Sequence, residues 1–472
     1  MKNKAYLKNS TLIFLTFCSI FYSRIVATTI RFSLLNLLHF GLVPAVCVFV
    51  LITTRIKDPK QISLCLSFVV GLFVLLGVIL ASALWNNAGL INAIVSFMML
   101  GEPFMFLLAM ACLPVTAQII TKTKKLLYWS VLINFLLAAV QKPLIDSGKI
   151  SAGRLNGTDG CGGVFFVSGA GNYISATVSI VFALYFWTSA KDKPLWMRIA
   201  VALAALWHLL FSDSKQLVLA YGVAWLLLIM INSKDIVKTL KLFFGLALFG
   251  IFGVWAATNI EAFSAYTAWA RPELYGSDGL AWYAKFYSIR EITSQFQSPL
   301  NWLVGLGPGH TVSRLGAWFL RDYSSLLSPL GSTRTSIGQN AMDFVAGFWL
   351  TSGSSLFSPI FGWAGIWGDI GFLGLGSYLY LAYLTWQYFG LNDILKLTIL
   401  SVFVVGCIFT QMEEPGYMIF ITFMLGLSWQ EHCLQQKKHD ITNEDMPLNS
   451  ASLHSIVRVH NNTSSVTKRS SG

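Results

Sequence analysis

The chain holds about eleven or twelve apolar stretches, each long enough to cross a bilayer, interrupted once by a polar run of about 100 residues from Asn259 to Ile360. No other feature limits the fold so tightly. A bilayer core roughly 30 Å thick needs about 20 apolar residues per helix, and backbone groups inside it must bond within their own segment. Composition agrees: of 472 residues, 55% are hydrophobic and 11% charged, where a soluble domain carries roughly 25% charged residues. The pattern predicts an all-α polytopic membrane protein of about twelve transmembrane helices, with one large periplasmic loop between helices 9 and 10.

The stretches fall near 11–30, 32–54, 61–84, 90–120, 126–141, 172–190, 196–211, 216–232, 242–258, 361–388, 394–411 and 416–431. Arg24 interrupts the first, and Glu102-Pro103 is expected to break the fourth. Lys2, Lys4 and Lys8 ahead of an apolar run imitate a secretory signal, but no small-residue cleavage site follows. The run therefore reads as the first membrane helix. The chain divides into nine helices over 1–258, the polar loop 259–360, three helices over 361–431 and a disordered tail over 432–472.

The formal net charge of +12 is distributed as topology signals. Alternate connections carry Arg55/Lys57/Lys60, Lys122/Lys124/Lys125, Lys191/Lys193/Arg198 and Lys234/Lys238/Lys241, whereas Trp85–Gly89 and Glu413–Gly416 have no Lys or Arg. By the positive-inside rule both termini are cytoplasmic, and the connections 141–171 and 259–360 lie outside. No nucleic-acid partner is expected. Most of the seven cysteines lie inside apolar stretches, so no disulfide framework is implied. No Cys/His spacing suggests a metal, and no glycine fingerprint suggests a nucleotide cofactor.

Chemistry is expected where cations collect on the outer side. Arg154 stands in the glycine-rich segment Ser151–Gly160, which leads to Gly171-Asn172 at the next helix; Lys215 ends the tight turn Ser212–Lys215. The large loop supplies Arg271, Lys285, Arg290, Arg314, Arg321 and Arg334, beside its own carboxylates. Arginine matches phosphate with a two-pronged fork and stays charged at any relevant pH. A ring of such groups at the membrane boundary suits a diphosphate carried on a lipid, although solvated loop charges would give the same pattern. His310, in the turn Gly305-Leu-Gly-Pro-Gly-His310, is a candidate general base and equally a turn histidine. The loop is rich in rings, among them Tyr266, Trp269, Tyr275, Trp282, Tyr283, Phe286, Tyr287, Trp302, Trp318 and Trp349. They could stack on sugars or anchor at lipid headgroups.

Four segments, taken in order, resemble the bacterial O-antigen polymerase/ligase superfamily. Arg154…Gly157 with Gly171-Asn172 resembles its Arg-x-x-Gly…Asn segment, and Ser214-Lys215 stands where the family has Ser-Arg. Arg290 ahead of Gly305-x-Gly-x-Gly309 resembles its loop arginine and glycine turn. Gly368-Asp-Ile-Gly-Phe-Leu-Gly374 resembles the acidic-x-Gly-x-x-Gly segment after the loop. The resemblance implies metal-free glycan transfer from an undecaprenyl-diphosphate carrier, on the periplasmic face of the bacterial inner membrane. It implies a chain-length regulator and a flippase as partners. Arg154, Lys215, Arg290 and His310 become the catalytic candidates; Asn172, Arg314, Arg321 and Arg334 become substrate-binding candidates. Lys215 departs from the family by losing the planar fork. The stretch 358–363, Ser-Pro-Ile-Phe-Gly-Trp, lacks the His-Asn pair of the ligases and so favours a polymerase. A ligase and a polytopic transporter remain the rival readings; the absence of an internal repeat weighs against transport.

Overall fold

A computed structural model of the chain describes residues 8–54, 58–151, 160–167, 169–232, 236–261, 271–276 and 279–444. Among them the fold is helical, with no strand. Ten helices precede the polar segment: α1 (Asn9–Phe21), α2 (Ser23–Ile30), α3 (His39–Thr53), α4 (Pro59–Trp85), α5 (Leu90–Cys112), α6 (Ala117–Asp146), α7 (Gly171–Ser189), α8 (Leu195–Phe211), α9 (Gln216–Ile231) and α10 (Ile236–Asn259). Within that segment, α11 (Leu280–Lys285), α12 (Tyr287–Ser294), α13 (Ser336–Gly347) and α14 (Trp349–Gly353) are joined by shorter turns. The chain closes with α15 (Gly362–Phe389), α16 (Asp393–Gly406) and α17 (Pro415–Glu444).

The apolar stretches are largely helical, with 90–120 interrupted at 113–116, but length and hydropathy qualify six helices to cross a membrane, or seven if the bent pair α1–α2 is one span. That pair turns through 58° at Tyr22, two residues before Arg24. The expected break at Glu102-Pro103 does not occur. α5 runs unbroken through Pro103 because it is the most enclosed of the six candidate spans, 89% buried over its apolar window, and surrounding helices tolerate the missing backbone bond. The start of the tail also differs from expectation, while 445–472 lies outside the described residues. α17 continues past residue 431 to Glu444, since no glycine or proline intervenes before Pro447.

α3, α4 and α17 surround α5, and aromatic side chains fill the contacts. Phe17 stacks on Phe423 with ring centroids 4.2 Å apart, and Phe21 meets Phe165 edge-on at 5.2 Å. α10 is the opposite case. Its apolar window is only 6% buried, so its side chains need an apolar solvent on most sides.

The polar segment packs across one end of this bundle. Ser82 donates to the carbonyls of Val304 at 2.6 Å and Asp369 at 2.9 Å. Asn92, beyond the α4–α5 turn, donates to Pro308 at 2.8 Å and Thr333 at 2.9 Å. Lys285 reaches the carbonyls of Ser358 at 2.9 Å and Ile408 at 3.2 Å, pinning α11 to the end of α16. Burial pushes the Lys285 ammonium down to about 7, while these acceptors and the Phe361 ring, 4.6 Å away, favour its charged form.

Candidate functional site

Two glycine segments remote in sequence interlock above the bundle. Leu306 N–H donates to the Gly368 carbonyl at 2.8 Å, and Gly307 N–H to that of Asp369 at 2.9 Å. The Asp369 carboxylate accepts from Gly309 N–H (2.7 Å), Thr311 N–H (2.9 Å), Thr311 Oγ1 (2.6 Å) and Ser313 Oγ (2.6 Å). Backbones approach so closely that a Cβ on Gly305 would lie 2.4 Å from the Asp369 carbonyl carbon, and one on Gly371 2.3 Å from that of Leu303. Gly371 also adopts φ 64°, ψ −167° inside α15, a conformation essentially limited to glycine. The two motifs are one structural lock.

His310 belongs to that lock. Its Nδ1 lies 2.9 Å from the Leu306 carbonyl and its Nε2 2.7 Å from Thr333 Oγ1. A carbonyl only accepts, so Nδ1 carries the proton and Nε2 accepts from the threonine. With both nitrogens engaged and the residue buried, His310 is not placed as a general base. Arg314 is buried as well. Its guanidinium pairs with Glu414 and its backbone N–H donates to Glu413 Oε2 at 2.8 Å. Burial, reinforced by the Asp369 charge, pushes Glu413 up to about 8.

The other loop arginines lie elsewhere. Arg290 is exposed on α12, with its guanidinium 4.6 Å from the Tyr283 ring centroid and donating to the Tyr283 carbonyl at 2.7 Å. Arg321 pairs with its neighbour Asp322 at 3.1 Å, and Arg334 is exposed. Arg154, Tyr266 and Trp269 lie outside the described residues.

Two cations, Lys215 and Arg271, line one cavity. A space of about 1460 Å³ is walled by α7, α8, α9, α10 and α16, larger than the roughly 300–1,000 Å³ of small-molecule pockets. Leu209, Leu228, Phe249 and Leu397 are among its apolar walls, while Asn172, Asp213, Lys215, Arg271, Tyr275 and Ser355 gather toward the polar segment. Asn172 Nδ2 donates to the Ser212 carbonyl at 3.1 Å, tying the start of α7 to the turn before α9. In that turn Asp213 takes φ 52°, a left-handed conformation that aspartate tolerates better than most residues. Lys215 Nζ then lies 3.0 Å from Asp213 Oδ1, with a fifth of its side chain exposed (20%). Residues at the start of two helices, Asn172 in α7 and Gln216 in α9, line this cavity together with Lys215 and Arg271. Helix N-termini favour anions.

The sequence reading placed Lys215 and Asn172 in one site but left Arg271 among the loop cations, because nothing local separates it from Arg321 or Arg334. It also missed a buried pair: His39 Nδ1 lies 2.8 Å from both carboxylate oxygens of Glu102. The signal for that pair was present, since an acid inside an apolar stretch requires a partner. No group of three or more His, Cys, Asp or Glu among the described residues could hold a metal ion.

Among the described residues, fold and cavity together define a class: a helical protein with six or seven helices able to cross a membrane and a large, mostly apolar cavity whose lining includes Lys215 and Arg271. Set against models of known protein families and against curated proteins, the chain matches none.

Proposed function

We propose that this chain is a polytopic glycosyltransferase of the bacterial inner membrane, which polymerises undecaprenyl-diphosphate-linked repeat units into surface polysaccharide. Twelve spans, cytoplasmic termini and a periplasmic polar segment are part of that reading. The observation that carries it is the cavity of about 1460 Å³, apolar along most of its wall and lined also by Lys215, Arg271 and the first residues of α7 and α9. Apolar walls suit a polyprenyl chain, and the capped end suits its diphosphate.

In the reaction, an acceptor hydroxyl oxygen attacks the anomeric carbon of the carrier-linked sugar. The bond from that carbon to the diphosphate oxygen breaks, the electron pair leaves with the diphosphate, and the hydroxyl proton passes to water. Lys215 and Arg271 stabilise the charge that grows on the leaving oxygen, a task suited to cations fixed beforehand. Asn172 acts indirectly by holding the 212–215 turn. Arg290, Arg314, Arg321, Arg334 and His310 have no part in this diphosphate site.

The double substitution Lys215→Ala/Arg271→Ala tests the reading. Binding of undecaprenyl diphosphate to the purified protein in nanodiscs should fall by roughly a hundredfold, about 1.4 kcal/mol for each tenfold, and long polysaccharide should vanish from cells. Unchanged lipid binding would refute the assignment. A second reading, lipid translocation, draws support from the His39–Glu102 pair within the bundle. Translocation of labelled carrier lipid by reconstituted protein, without growth of glycan, would favour it.

A further inference from the structure

The turn that presents Lys215 holds a residue that folding alone does not favour. α8 closes in a left-handed cap: Ser214 N–H donates to the Leu209 carbonyl at 3.0 Å, and Asp213 N–H to that of Leu210 at 3.2 Å. The residue at the bend of such a cap is usually glycine and sometimes asparagine, because its φ is positive. Two other helix ends of the chain follow that rule. α6 closes with the same two bonds, Lys149 to Leu144 and Gly148 to Ile145, each at 2.9 Å, around Gly148 at φ 69°. α4 closes at Asn87, φ 50°. At the end of α8 the same position is taken by a carboxylate, Asp213 at φ 52°. Its ion pair with Lys215 does not account for the choice, since Asp213 is 46% exposed and pairs open to solvent contribute little. A local rule broken without a gain in stability marks a functional position.

The surroundings of Asp213 indicate which function. It lines the cavity with Lys215 and Arg271, and its Oδ1 lies 3.0 Å from Lys215 Nζ. The other carboxylate among the described lining residues is Asp393, which begins α16. That helix meets Lys285 of the polar segment just past its far end, through the Ile408 carbonyl, so Asp393 stands a helix length of about 20 Å away. The turn is fixed from behind. Ser212 and Ser214 are buried with their Oγ atoms 3.1 Å apart, and Asn172 holds the Ser212 carbonyl. A transfer to a hydroxyl releases a proton, and His310 is locked away from the cavity by its two hydrogen bonds.

We propose that Asp213 is the general base of the transfer, accepting the proton of the attacking acceptor hydroxyl. This rests on reading the cavity as the diphosphate site. Without lipid, Lys215 holds the Asp213 carboxylate; the incoming diphosphate takes Lys215 for itself and releases the carboxylate toward the acceptor. The acceptor O–H bond then breaks toward Asp213, and the oxygen's electron pair forms the bond to the anomeric carbon. The bond from that carbon to the diphosphate oxygen breaks, its pair leaves with the diphosphate, and Asp213 passes the proton on to water. Cation and carboxylate thus serve the departing and the arriving oxygen of one substitution.

Asp213→Gly separates this chemistry from folding, because glycine is what the backbone at 213 prefers. The full chain in nanodiscs is measured with two probes, undecaprenyl diphosphate for binding and carrier-linked repeat units, extracted from the cells that make them, for transfer. The variant should melt at or above the wild-type temperature and bind undecaprenyl diphosphate at least as tightly, since Lys215 loses a competing carboxylate. Its single-turnover transfer should be slower by roughly a hundredfold or more. Asp213→Asn, whose side chain also tolerates the left-handed backbone, should be slowed likewise. Wild-type transfer in Asp213→Gly would overturn the proposal and leave the cavity reading intact. A loss of lipid binding as large as the loss of transfer would also overturn it, by reducing Asp213 to a support for Lys215. A wild type that binds no undecaprenyl diphosphate would instead remove the cavity reading, and the base with it.

Discussion

The glycine lock and the cavity mouth use similar residues for opposite ends. At the lock, polar groups answer one another across the chain: Asp369 collects four donors, His310 bridges two segments, and Arg314 meets Glu414 in a closed interior. At the mouth, Lys215 and Arg271 border a large volume lined by apolar side chains. The difference shows that a cation in a charge-poor chain is assigned by its enclosure. A buried arginine matched by its own carboxylates organises the fold, because breaking a buried pair is costly. A cation at the rim of an apolar space is held where a ligand's charge can compete for it.

Removing Asp369 should have the largest effect. Asp369→Ala strands four buried donors, each at about 1–3 kcal/mol if unsatisfied, so the expected loss is at least about 4 kcal/mol and little folded protein. Fluorescence-detected size exclusion and thermal melting in detergent measure it. A wild-type melt would mean the lock is not what fixes the polar segment to the bundle. Next in size is Lys215→Ala, which should change stability by no more than about 0.5 kcal/mol yet lower undecaprenyl diphosphate affinity by roughly tenfold. A melt as damaged as that of Asp369→Ala would erase the contrast between the two regions.

A smaller effect should appear in the pH dependence of stability. Folding raises Glu413 from 4.5 to about 8. Between those values the folded state keeps a proton that the unfolded chain has released, so stability falls as pH rises through the window. Lys285, lowered from 10.5 to about 7, acts with the opposite sign, and only above pH 7. Below pH 7, comparison of the wild type with Glu413→Gln isolates the contribution of Glu413. From pH 5 to about 7 the melting temperature of the wild type should fall relative to that of Glu413→Gln; equal slopes would remove Glu413 as the source.

Much of the fold was legible because its cause is local. A bilayer-length apolar run encodes a helix in its own composition, and the twelve runs are built largely of helix, although only six or seven helices are long and apolar enough to cross a membrane. The 212–215 turn was also legible, since Lys215 stands alone between two such runs. What escaped was pairing across distance. Glu102 looked like a helix breaker beside Pro103 until His39, 63 positions away, supplied its partner. His310 looked like a candidate for chemistry because its partner Thr333 stands 23 residues on, and Arg314 because Glu414 lies 100 residues downstream. One-dimensional reading registers a charge but not its enclosure.

The smallest expected effect is the sharpest check on that principle. Arg321 pairs with an adjacent aspartate at the surface and Arg334 is exposed, and exposed ion pairs contribute about 0–1 kcal/mol. Arg321→Ala and Arg334→Ala should each leave the melt, the undecaprenyl diphosphate affinity and the polysaccharide length unchanged. Loss of long chains in either variant, with the protein still folded, would mean that a loop arginine reaches the substrate from outside the cavity. Enclosure at the mouth would then no longer distinguish a binding cation from an idle one, and Lys215 and Arg271 would lose the argument that singles them out.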